Sequence, residues 1–155
     1  MKMSKMMLIM FISSFLIQYF LMSEIVVNSR INIKNSYGKL YISTIMALSM
    51  VSLEIIAHDY HYKTLSLNSY IILASLIGLF IYLYRNQVRI NDKEYLKEMI
   101  EHHSMALLTS ENIVKKTDNY EVSKLAKNII QQQNDEINKM RIIIENIDNN
   151  KDKKN

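Results

Sequence analysis

Residues 67–116 read LNSYIILASLIGLFIYLYRNQVRINDKEYLKEMIEHHSMALLTSENIVKK. The part up to Tyr84 carries no charged residue, and the run stops at Arg85. From Asn91 the pattern changes. Leu96, Met99, Ile100, His103, Ala106, Leu107 and Ile113 recur close to a 3.6-residue period, with Asp, Glu and Lys between them. An all-round apolar helix suits a bilayer and a one-sided helix suits water. The chain is therefore expected to change solvent between Tyr84 and Asn91.

Upstream, residues 6–27 (MMLIMFISSFLIQYFLMSEIVV) and 39–57 (KLYISTIMALSMVSLEIIA) are apolar runs like 67–84. At about 1.5 Å per residue, roughly 20 residues cross a 30 Å hydrocarbon core. The first run is long enough, and the other two are at the short end. A cleaved signal peptide is the rival for the first run, with Lys2 and Lys5 as its basic flank. The run is long for that role, and no small-x-small site follows it. Buried helices of a soluble bundle are the rival for the other two. Arg30, Lys34, Lys39, Lys63, Arg85 and Arg89 are confined to the gaps, which argues for three spans.

Orientation follows the Lys/Arg bias of short loops. Arg30, Lys34, Lys39, Arg85, Arg89, Lys93 and Lys97 share one side; Lys2, Lys5 and Lys63 share the other. That predicts a multi-pass protein whose C-terminal domain is cytoplasmic, although Lys2 and Lys5 precede a first span that often dominates topology. Within the second run, Met46, Met50, Glu54 and His58 follow at i+4 intervals and share a helix face. His61 lies a turn further on, and Gln18 and Met22 form a similar pair in the first run. Thioether and imidazole together suit a soft ion such as Cu(I). The simpler account, with Met filling gaps between helices and Glu54 and His58 near the interface, stands ahead of that one. His58, Asp59 and His61, expected in the loop between spans two and three, are read as polar loop residues rather than a divalent-ion site.

Downstream, Asn91 or Asp92 is placed as N-cap of the first soluble helix, and Lys115 and Lys116 suit its C-terminal dipole. Residues 117–120 form a short polar turn. A second helix is expected over about 121–147, with Val122, Leu125, Ile129, Ile130, Ile137, Met140 and Ile144 inward. So short a turn makes the helices antiparallel neighbours. Folding about residues 118–119 places His103 near Gln133 or Asn134 and Met99 near Asn138, with Glu136 and Met140 one turn away. The expected architecture is all-α. Residues 1–89 form a three-span region, 90–148 a soluble antiparallel hairpin, and 149–155 a disordered polar tail. Two helices are marginal alone. Dimerisation into a four-helix bundle, or packing on a partner or the membrane base, is expected.

Composition narrows the chemistry. Of 155 residues none is Cys or Pro and two are Gly. Disulfides, thiolate ligands and Cys nucleophiles are excluded, and helix breakers are few. The net charge of +4 comes largely from the Lys151, Lys153, Lys154 tail and membrane-flanking residues. Mean hydropathy of −0.03 averages two unlike halves. No basic stripe with interleaved aromatics suggests nucleic acid. Glu-x-x-His pairs, His-Glu-x-x-His, a nucleotide loop and a Gly-x-Ser-x-Gly elbow are all absent. No enzyme activity is expected.

Two stretches, EYLKEMIEHHSMALLTSE and LAKNIIQQQNDEINKM, contain Met99-x-x-His102-His103 and Gln133-x-x-Glu136-Ile137-x-x-Met140. Over roughly 92–144 they resemble the family catalogued as domain of unknown function 305. The preceding spans resemble a membrane-anchored branch of it, with Arg85-Asn86-Gln87 and Asp92-Lys93 fitting its junction loosely. The resemblance implies a ferritin-like helical hairpin or bundle. It also implies copper or silver binding in some members, with Met99, His102, His103, Met105 and Met140 as the matching positions. The family pattern has proline where this chain has Glu101, so the His pair is expected to sit in a different local geometry.

Two expectations follow for function. One is a membrane-tethered soft-metal binder, chiefly for copper, drawing on Met99, His102, His103, Met105, Met140, Gln133 and Glu136. The other is a metal-free hairpin that oligomerises beneath the bilayer, with His103 hydrogen-bonded to Gln133 or Glu136 and His102 solvated. Adjacent His102 and His103 point about 100° apart on a helix, so only one can face the partner helix squarely.

Overall fold

The computed structural model describes residues 3–152, and its regular structure there is entirely helical. In chain order, α1 (Met3–Leu16) continues through a π-helical stretch (Ile17–Leu21) into α2 (Met22–Val26). A 3-10 turn (Arg30–Asn32), α3 (Tyr37–Tyr62), α4 (Leu67–Arg85), α5 (Asp92–Val114) and α6 (Tyr120–Asp152) follow. Three helical segments, Lys5–Val26, Tyr37–Tyr62 and Leu67–Arg85, are long and apolar enough to cross a membrane. The middle one extends five residues beyond the expected 39–57 at its C-terminal end. His58, Asp59 and His61 therefore lie on its last turns, not in a loop.

The chain folds as two units. One takes the described residues up to Met22 together with Tyr37–Arg89; the other takes Ser23–Ser36 together with the described residues from Ile90 onward. In the first unit α3 packs against both α1 and α4. Leu48, Val51, Ile55 and Leu73 are its buried core, closed by Met7, Met10, Phe11, Ile77 and Phe80. On α1, Phe11, Phe15 and Tyr19 stack in series, and the Lys39 ammonium lies 4.8 Å from the Tyr19 ring centre. Asp59 ties the α3–α4 turn. Its carboxylate accepts hydrogen bonds from the Ser66 backbone N–H (2.6 Å), the Thr64 and Ser66 hydroxyls (2.8 and 2.9 Å) and the Tyr70 hydroxyl (3.0 Å). With that many donors a buried carboxylate is satisfied in place, and it acts as a turn staple rather than an open site.

In the second unit α5 and α6 are antiparallel neighbours, as their short connection requires. Asn91 is the N-cap of α5, its side-chain oxygen accepting from the Glu94 N–H at 3.1 Å. Asn119 does the same for α6, accepting from the N–H groups of Glu121 and Val122. Ile100, Leu107, Ile137 and Met140 form the core. Val122 and Leu125, expected inward, are exposed at 41% and 62%. The buried stripe of α6 runs through Ala126, Ile137 and Met140, and Leu125 lies one residue, about 100°, off Ala126. The far end of α6 is also longer than expected. Positions 149–152, placed in a disordered tail, are helical. Lys2 and residues 153–155, named in the sequence reading, lie outside the described residues, as do the side chains of 151 and 152.

The segment 23–36, expected as the end of the first span (to 27) and the gap after it, is a strap that belongs to the hairpin unit. Buried Ser104 accepts from the Asn28 backbone N–H (3.0 Å) and the Asn32 side-chain amide (3.2 Å), and donates to the Asn28 amide oxygen (2.7 Å). The Glu101 carboxylate accepts from the Ser23 hydroxyl and from the Lys34 backbone N–H. Arg141 of α6 donates to the Asn32 amide oxygen. Lys34 is held below the ordinary lysine range by burial first, then by the Arg141 and Lys97 charges.

Candidate functional site

Four of the seven hairpin candidates meet. Met99 and His103 on α5, with Glu136 and Met140 on α6, line one open groove with Tyr95 and Ile143 at its edge. Met99 and His103 stand one turn apart on α5, and Glu136 and Met140 one turn apart on α6, so each helix presents one pair. His103 meets Glu136, rather than lying over Gln133 or Asn134, because the helices pair about two residues further along than a fold at 118–119 would give. Met140 is buried; Met99 and His103 are half-buried; Glu136 is exposed. His102 and Met105 are exposed and do not line the groove, and Gln133 is half-buried outside it. Among the described residues no three His, Cys, Asp or Glu side chains gather into a cluster that could hold an ion. Any ion here would rely on the thioethers.

His103 Nδ1 lies 3.0 Å from Glu136 Oε2. The approach is off the line of the ring nitrogen, so the contact is an ion-pair distance and not an aligned hydrogen bond. Burial lowers the His103 pKa below the ordinary 6.5; the Glu136 carboxylate pulls it up and the His102 ring pushes it down, with burial dominant. Neutral imidazole is the form that binds metals. Nδ1 stands beside the carboxylate without an aligned hydrogen bond to it, and Nε2 is the ring nitrogen that does not face that charge.

The direction of this shift has a testable consequence. A histidine whose folded pKa lies below 6.5 opposes folding as the pH falls, because the unfolded chain takes up the proton first. His103 should titrate below 6.5 by NMR of side-chain resonances, and Glu136→Gln should lower its midpoint further by removing the group that raises it. A midpoint unchanged in Glu136→Gln would show that the carboxylate does not reach the ring in solution.

The membrane candidates remain apart. On α3, Met46 and Met50 are exposed at 45% and 39%, and Glu54 and His58 are half-buried. His58 packs on the Tyr62 ring with centroids 4.6 Å apart, and its Nδ1 is 3.4 Å from Asp59. The column exists as spacing, and among the described residues it closes around no cluster of ion-holding side chains.

Sequence reasoning missed the strap contacts. One signal was present: Ser104 sits on the apolar stripe between Ile100 and Leu107, and a serine at a core position calls for a polar partner. Nothing in hydropathy indicated that the partners would be Asn28 and Asn32.

The family described as "Domain of unknown function (DUF305)" matches residues 83–155. The chain is also similar to "Uncharacterized protein L153" of Acanthamoeba polyphaga mimivirus. They are 33% identical over 142 residues, which take in 92% of this chain and 93% of the relative. No solved structure matches.

Proposed function

Because the chain belongs to the family described as domain of unknown function (DUF305), we propose that it is a membrane-tethered binder of a soft cation, chiefly Cu(I), held by Met99, His103 and Met140. The observation that carries this reading is that two thioethers and a partly buried imidazole, from two helices, line one groove. Thioether and imidazole bind Cu(I) without losing a proton, so the site needs no thiolate in a chain that has no cysteine. Glu136 is an orienting residue for His103, not a ligand. His102 and Met105, which match the family positions, lie outside this ligand set because they are exposed. The ferritin-like bundle would be this hairpin with its strap, completed by further helices.

Three membrane crossings fit the same reading. Segment 23–36 follows the first apolar helix, the hairpin follows the third, and both belong to one unit. An even number of crossings between them returns the chain to the same side, as α3 and α4 would. The Lys/Arg bias then makes that side cytoplasmic.

The test is Cu(I) titration of the full chain in detergent, under reducing conditions with a competing chelator. The parent should take up one ion per chain. His103→Ala and Met140→Leu should each weaken binding by at least about tenfold, with His102→Ala close to the parent. No uptake by the parent, or equal affinity in His103→Ala, overturns the proposal.

A second reading has its own support. His103 already has Glu136 beside it, and Leu125 and Ile142 are exposed at 62% and 59% on α6. On that reading the hairpin is an oligomerisation module that needs no ion. Self-association unaffected by chelator, in a chain that carries no metal after purification, favours it.

A further inference from the structure

The first unit distributes its charge unevenly. Among its described residues Glu54 and Asp59 are the only acids, and both lie in the second half of α3. Asp59 is committed to the start of α4 through Ser66 and Tyr70. The opposite end of the unit joins the start of α3 to the end of α4, where the Tyr41 hydroxyl donates to the Val88 carbonyl at 2.9 Å. Arg85 and Arg89 stand there, both exposed. Among the described residues neither makes a hydrogen bond or an ion pair. Glu54 lies 13 residues beyond Tyr41, about 20 Å along α3. That exceeds the Debye length of about 8 Å at physiological salt, so no acid of this unit neutralises the pair.

The turn that carries the arginines is closed by its own hydrogen bonds. The Gln87 N–H reaches the Tyr84 carbonyl (3.1 Å) and the Val88 N–H the Leu83 carbonyl (3.0 Å), the paired bonds of a Schellman helix end. The side-chain amides of Asn86 and Gln87 donate to the Tyr82 and Tyr84 carbonyls as well. Gln87, at φ 51°, occupies the left-handed position that such an end calls for. Arg89, at φ 59°, is left-handed too, and the helix end does not call for it. Backbone of that kind, held without a capping role, is concentrated at ligand clamps and other functional sites.

The end of α4 also has an apolar approach. Ile72, Leu76, Leu79 and Tyr82 are exposed at i+3 and i+4 spacing, and Arg85 continues the same stripe. We propose that this stripe and its two arginines bind an anionic phospholipid, an acyl chain lying along the stripe and the phosphate between Arg85 and Arg89. The inference rests on the membrane-spanning reading, which sets the stripe in hydrocarbon and the arginines at headgroup level. Guanidinium groups match phosphate oxygens with parallel N–H donors. The occupant is a lipid rather than a soluble phosphate because the apolar stripe runs into the cation pair without a break. Tyr82, at their junction, has the amphipathic ring that suits the membrane–water boundary.

The test is electron paramagnetic resonance of the full chain in phosphatidylcholine vesicles. Trace phosphatidylglycerol or phosphatidylcholine, spin-labelled near the end of one acyl chain, reports the lipid immobilised on the protein. The parent should immobilise phosphatidylglycerol over phosphatidylcholine by roughly twofold or more. Arg85→Gln with Arg89→Gly should bring that ratio close to one. Glycine suits the left-handed turn, so the second change removes the charge without disturbing the backbone. Lys63→Gln, an exposed cation at the other end of the unit, should keep the parent ratio. Equal immobilisation of the two lipids by the parent, a ratio unchanged in the double variant, or an equal loss in Lys63→Gln would overturn the proposal. So would loss of the preference in inorganic phosphate but not in chloride of the same ionic strength, which would make the site one for free phosphate. No immobilised component from either lipid would remove the membrane premise, and the proposal with it.

Discussion

Glu101→Pro is expected to destabilise the hairpin by about 3 kcal/mol or more. Residue 101 lies in the interior of α5, where a proline removes the hydrogen bond to the carbonyl four residues back and clashes with it. The same change deletes the carboxylate that holds Ser23 and the Lys34 N–H, so the strap is released as well as the helix broken. Glu101→Ala separates the two effects. It keeps the helix and loses only the strap contacts, for about 1–3 kcal/mol by the cost of unmet buried polar groups. The measurement is urea denaturation of the full chain in detergent, following hairpin helicity. A proline variant within about 1 kcal/mol of the parent would show that α5 tolerates a break at 101.

Leu107→Ala should cost about 2–5 kcal/mol, the range for emptying a closed core position. Leu107 is 1% exposed and packs with Ile100, Ile137 and Met140 in a core of only two helices and a strap. So small a core has little material to collapse into the cavity, which points to the upper part of that range. Met105→Ala, two residues away on the exposed face, should stay within about 0.5 kcal/mol. The pair of variants in the same denaturation assay tests the helix phase directly. Equal losses would show that α5 is rotated from the position described, and would move Met99 and His103 out of the groove with it.

Much of this fold could be read from periodicity. The apolar runs, the Asn91 cap, the short turn and the inward placement of Ile100, Leu107, Ile137 and Met140 follow from spacing that local helix geometry imposes. The groove was partly legible for the same reason. Met99 and His103 share a face of α5, and Glu136 and Met140 share one of α6, whatever else the chain does. What spacing does not carry is register between elements, so the sequence left Gln133, Asn134 and Glu136 open as the residue facing His103, and the structure selects Glu136. Nor does it reveal contacts that are polar and distant. Asn28 and Asn32 look like ordinary loop residues until Ser104, more than 70 positions later, is seen to hold them. The end of α3 was misjudged because hydropathy falls at His58 while the helix, fastened by Asp59, runs on to Tyr62.

The strap has a consequence for how the molecule is made. Its polar contacts join residues separated by 67 to 109 positions along the chain. At a synthesis rate of about 5–20 residues per second, Asn32 waits on the order of 5–20 s before Arg141 is even polymerised. Until Ser104 is made, 72 positions after Asn32, the asparagines are hydrated and the strap has no fixed shape, while α3 and α4 are produced. The hairpin unit is therefore the last part of the protein to close. A ribosome that stalls before Ser104 would leave a chain with its apolar helices made and its earliest polar segment still open to water and to proteases.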